Sequence, residues 1–215
     1  MTQHYELNVS LSPLTVRTAG IVLLAAAVLT LVAMGHHPTE IEINDHGKAM
    51  TLGGLVHTTM ILVLGANLWG LAVFSLGLSQ PGWALAGILA YGIGFVGNCI
   101  AALINGFIVP AVAGNVDRVV SGDLFVLLWQ SNQAAAYLGV YAVNGAILFW
   151  SLGLLQQGRP FNVVIGIFGV LAALFTSVAL YTGAISLNVS GAFMAYGVQA
   201  AWTGLLGLKM ILRYT

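Results

Sequence analysis

The stretch Leu14–Gly35, LTVRTAGIVLLAAAVLTLVAMG, decides what kind of molecule this is. Arg17 is its only charged residue. A helix of about 20 such residues crosses the hydrocarbon core of a bilayer. Arg17 ahead of the run and Ala33-x-Gly35 at its end also imitate a signal peptide with its cleavage site. The run is read here as a retained helix.

Five more runs of the same kind follow it: Thr51–Gly77, Trp83–Val109, Leu124–Leu155, Phe161–Gly183 and Leu187–Leu212. Their breaks fall at turn signals, among them Ser79-Gln80-Pro81-Gly82, Pro110 and Gln156–Pro160. Of 215 residues, 59% are hydrophobic and 6% charged, and mean hydropathy is +0.96. Soluble domains carry about 25% charged residues, so the solvent for this surface is lipid. Backbone groups in lipid must pair internally, which leaves helices or a closed barrel. The runs are continuous rather than alternating, which selects helices. The expected fold is all-α: one six-helix transmembrane domain over residues 1–215, with no room for a soluble domain.

The six Lys and Arg residues set an orientation. With six spans, Arg17, Arg159, Lys209 and Arg213 lie on one side, and Lys48 and Arg118 on the other. The excess puts both termini in the cytoplasm of a plasma or inner membrane. The loop His36–Met50, rich in His and acids, then lies outside. Zero net charge argues against a nucleic-acid partner. The expected partners are the bilayer and, within it, another membrane protein or a second copy. The single cysteine, Cys99, excludes an internal disulfide and reads as an inert core thiol.

A faint repeat is also present. Ser75-Leu76-Gly77-Leu78 recurs as Ser151-Leu152-Gly153-Leu154. In that register helices 2–3 and 4–5 are two copies of one hairpin, and His57 corresponds to Gln133.

Polar residues inside the spans carry the functional signal. Residues at i, i+3, i+4 and i+7 share a helix face. Helix 4 aligns Gln130, Gln133, Tyr137, Tyr141 and Asn144; helix 3 aligns Tyr91, Asn98 and Asn105; helix 6 aligns Asn188, Gln199 and Trp202. Amides facing lipid would stay unpaired at a cost of several kcal/mol. His57 lies about 9 Å below the start of helix 2 at 1.5 Å per residue. Asn105, Gln130, Gln133 and Asn188 fall in the same half of the membrane. The expectation is an outward-facing polar pocket. His57 is its reactive group, and Asn98, Asn105, Gln130, Gln133, Tyr137 and Asn188 are its substrate-binding residues. The competing reading is that these amides are hydrogen-bond glue between helices, beside the close-packing faces Gly87, Gly94, Gly97, Ala101 and Gly166, Gly169, Ala173.

His36, His37, His46 and His57 are ligand types for a divalent metal, although no established metal spacing is present. Gly47 argues against helix 2 starting as early as His46, but the loop can fold back and bring His36 or His37 to His57. The competing reading is a solvated loop. A bis-His haem is disfavoured, because His57 is the only intramembrane histidine. No acid lies within a span, which weakens proton- or cation-coupled transport. No phosphate loop, nucleophile elbow or dinucleotide fingerprint is present. The leading expectation is a site for a small molecule or metal, with catalysis by His57 left open. The alternatives are a non-catalytic accessory subunit of a larger membrane complex and a facilitative transporter.

Overall fold

The computed structural model describes residues 11–37, 46–113 and 122–213, with only the backbone given over 46–50. Among these residues the chain forms six long helices: α1 Pro13–Gly35, α2 His46–Leu76, α3 Pro81–Ala113, α4 Gly122–Gln156, α5 Pro160–Tyr181 and α6 Val189–Leu212. α1 to α5 each contain a stretch long and apolar enough to cross a membrane. The chain is a polytopic helical membrane protein. α6, which carries Gln199, Thr203 and Lys209, is not one of these five.

Local signals explain the ends. α1, α3 and α5 all begin on a proline. Its missing N–H is no loss at a first helical position, where that group has no partner anyway. Ser12 caps α1 through the Thr15 amide, and Asn188 caps α6 through the Gly191 amide at 2.9 Å. Gly158 and Gly183 follow α4 and α5 with φ of 66° and 75°, the left-handed conformation that closes a helix.

Two helix ends depart from expectation. The backbone of α2 is helical from His46, so Gly47 sits inside the first turn instead of excluding it. α3 does not stop at Pro110. It widens into a π-helical turn over Ile104–Ile108 and then continues as α-helix over Val109–Ala113. In a regular helix Pro110 would leave the Gly106 carbonyl unpaired and press its ring against it. The wider turn just before the proline, with the Val109 amide donating to the Ile104 carbonyl, relieves that conflict.

Each helix packs against the next, and α1 closes the ring against α6. The α1–α6 seam is backbone on backbone. A Cβ on Gly20 would lie 2.7 Å from the Gly207 carbonyl oxygen, and one on Gly207 2.6 Å from that of Gly20. The α3–α4 seam is similar, with Gly97 against Ala135 and Gly139. Lipid tails are as apolar as leucine, so fit rather than water exclusion holds such helices together. At the centre the Trp150 and Trp202 rings stack 6.0 Å apart, 9° from parallel, both fully buried. Gly87 of α3 and Gly169 of α5 make room for these indoles, since a Cβ at either would collide with one. The outer wall is as apolar as the centre: Leu89, Val164, Leu171 and Phe175 are 60–70% exposed. That surface fits a bilayer.

Candidate functional site

One end of the ring holds a cavity of about 140 Å³ between the end of α1, the start of α2, the end of α3, the start of α4 and the start of α6. The opposite end gathers Arg159, Lys209 and Arg213 around a second hollow of about 350 Å³.

His57 is fixed in the first cavity from two sides. Its Nδ1 lies 2.7 Å from the Gly53 carbonyl oxygen, one turn back on α2. A carbonyl only accepts, so Nδ1 carries the proton, and Nε2 of the neutral ring is left as an acceptor or metal ligand. From the other side the ring rests on Gly106 in the π turn, where an added Cβ would lie 2.5 Å from the His57 Cβ. The π turn thus sets both the seat of His57 and the position of Asn105, which lines the same cavity. Such turns recur at functional sites because they re-aim side chains within a helix.

His37, just past the end of α1, meets His57 edge to face with ring centroids 5.2 Å apart. Asn98 of α3 accepts from the Tyr196 hydroxyl of α6 at 2.9 Å through Oδ1. Its Nδ2 is buried and has no protein partner. Gly139 makes this possible, since any Cβ there would occupy the space of the Asn98 amide. Asn132 of α4 is 3% exposed, and its Oδ1 also has no protein partner. Both amides line the cavity. Asn98 Nδ2 and Asn132 Oδ1 are two of several buried polar atoms without a protein partner, with Asn67 Oδ1, Ser75 Oγ, Ser151 Oγ and the indole nitrogens of Trp150 and Trp202; such an atom costs about 1–3 kcal/mol to leave unpaired.

The structure brings His57, Asn98, Asn105, Gln133 and Asn188 to this cavity. The Asn188 oxygen is already engaged in capping α6. Gln130 is exposed on the outside of α4, and Tyr137 stacks on Tyr141 at 6.2 Å away from the cavity wall. His36 is turned back on α1, its Nδ1 2.8 Å from the Val32 carbonyl oxygen. The side chain of His46 lies outside the described residues. Among the described residues no three His, Cys, Asp or Glu side chains form a metal-binding group.

Helix glue accounts for a separate set. Gln199 of α6 donates to Asn144 of α4 at 2.9 Å, and Asn144 donates to Ser177 of α5 at 3.1 Å. Asn132, Tyr196, Met34 and Met60 line the cavity without having been expected there. The run Asn132-Gln133 held a signal, but the Gln130–Gln133–Tyr137 stripe drew the face one residue to the side of the buried one, which is Asn132, Ala136, Gly139, Val140 and Val143. No family model, curated protein or solved structure matches the chain.

Proposed function

We propose that this membrane protein binds a small polar solute in the His57 cavity, which opens to the extracytoplasmic side. The observation that carries this reading is the convergence of His57, Asn98, Asn105, Asn132 and Gln133 on one cavity. The Gln199, Asn144 and Ser177 glue lies apart from this cavity and pairs within itself. A cavity of about 150 Å³ admits a molecule of benzene size, which bounds the solute. Its chemistry follows from the wall, which offers side-chain amides and the His57 ring to a polar solute.

The orientation rests on Arg159, Lys209 and Arg213 gathering at the far end of the ring. α6 serves as the sixth span, since it lies along α1 and at 1.5 Å per residue its 24 residues reach about 36 Å. A duplicated hairpin is supported by His57 and Gln133, matched in the repeat register and both on this cavity.

The test is thermal unfolding of the purified chain in detergent against a panel of small amides, alcohols, amines and metal ions. A saturable rise in Tm with at least one of them is expected, and Asn98→Leu and Asn132→Leu should abolish it. If nothing raises Tm and both leucine variants are more stable than the parent, the amides are buried by accident and the reading fails. A second reading, an accessory subunit, draws on the start of α4, where Leu124, Val126, Leu127 and Trp129 are all exposed. It requires a membrane partner that copurifies and that Leu127→Arg releases.

A further inference from the structure

The cavity wall pairs two sequence elements of mirrored pattern. Met34-Gly35-His36-His37 ends α1, and His57-Thr58-Thr59-Met60 lies near the start of α2. Met34, His37, His57 and Met60 all line the cavity. Met34 and Met60 belong to one buried cluster, 6% and 9% exposed. The backbone amide of His37 donates to the Met34 carbonyl at 3.3 Å, which ties the loop histidine to the end of α1. We propose that these two thioethers and two imidazoles form a binding site for a soft monovalent metal ion, Cu(I), with Ag(I) as its chemical mimic.

Three arguments converge. The first is ligand type. Among the described residues the cavity offers two histidines, too few for a zinc site built from hard and borderline donors, but thioethers complete a set that selects Cu(I). The second is charge. Among the described residues the cavity is lined by no carboxylate. A divalent ion would bring two uncompensated charges into a space with low dielectric, whereas Cu(I) brings one and its four ligands are neutral. The third is geometry. The His37 and His57 rings are immediate neighbours, with centroids 5.2 Å apart, and Met34 and Met60 pack in one cluster beside them. The bond from His57 Nδ1 to Gly53 is also what a ligating histidine needs. A second partner on the other ring nitrogen fixes the tautomer and aims the free nitrogen at the metal.

The inference rests on the proposed pocket being reachable by solutes, and it assigns one wall of it. The experiment titrates the full-length chain in detergent with Cu(I) against a chromogenic Cu(I) chelator. A parallel titration uses Ag(I), which needs no reductant. One ion per chain is expected. Met34→Leu/Met60→Leu keeps the apolar volume and should weaken Cu(I) at least tenfold with Tm unchanged. His57→Gln should remove binding, and excess Zn(II) should not displace Cu(I). Failure of the parent chain to take Cu(I) from the chelator overturns the site, and so does an unchanged affinity in the double leucine variant. A solute-induced rise in Tm that depends on Asn98 and Asn132 but comes without Cu(I) binding overturns this inference alone. Loss of both overturns the pocket itself.

Discussion

Gly106 and Gly54 face each other across the α2–α3 seam, and alanine should have opposite effects at the two. A Cβ built on Gly54 meets nothing nearer than the Gly106 carbonyl oxygen at 3.9 Å, an ordinary contact. Gly54→Ala therefore adds helix propensity, about 1 kcal/mol, without strain. A Cβ built on Gly106 lies 2.5 Å from the His57 Cβ and 2.8 Å from its Cγ, where carbon atoms prefer about 3.5–4.0 Å. These are the root atoms of the side chain, so rotating a flexible tip cannot relieve the clash. The helices must part by about 1 Å or the π turn must change register. Overpacking of this kind costs about 1–3 kcal/mol. Gly54→Ala should thus match or exceed the parent, with Gly106→Ala below it by that margin. Reversible unfolding in mixed detergent and dodecyl sulfate, read by tryptophan fluorescence, measures both. The same variants should divide in binding, since only Gly106→Ala moves the His57 ring. If Gly106→Ala is as stable as Gly54→Ala, the π turn is not the seat of His57 and the account of the cavity is wrong.

Three further outcomes are expected. Gln199→Leu should destabilise by about 0.6–1.7 kcal/mol, the range for interhelical hydrogen bonds in membranes, and the double variant Gln199→Leu/Asn144→Leu should lose less than the two single losses added. Unfolding equilibria close that cycle. Asn188→Ala should cost about 1 kcal/mol through the lost cap on α6 but leave the cavity's solute or metal response in place, because the Asn188 oxygen serves the Gly191 amide. In a Cys99→Ser background, His36→Cys should react with a membrane-impermeant thiol reagent added to whole cells and Arg159→Cys should not; the reverse pattern would invert the orientation.

The long apolar runs made the helices legible, because the bilayer constrains length and composition so strongly. Which face of each helix turns inward was much harder to read. In water the inner face is marked by contrast with a polar exterior. Here Leu138 at 50% exposure and Val140 at 0% carry the same chemistry, so only sparse amides mark the interior. Gln130 misled for that reason, and Asn132, one place before the expected Gln133, was passed over. Pro110 announced a helix end by local rules, yet Ile104–Ile108 absorbed it as a π turn, because the packed partner α2 rewards continuation. His37 lies beyond the helix in a loop with no period to read, and only the folded ring brings it to His57. The Trp150–Trp202 stack joins residues far apart in sequence through glycines whose partners local spacing does not name.

The seam between Gly20 and Gly207 also ties the order of synthesis to the order of assembly. α1 has as its closest neighbour α6, which is made four helices later than α2. Through most of translation α1 therefore waits in the bilayer beside an open slot. Tyr196, which holds the Asn98 amide, arrives only when that slot is filled. The ring thus closes when α6 arrives rather than by degrees. A ribosome that stalls after α5 leaves an unsealed ring with polar groups turned toward lipid, the kind of product that membrane proteases remove.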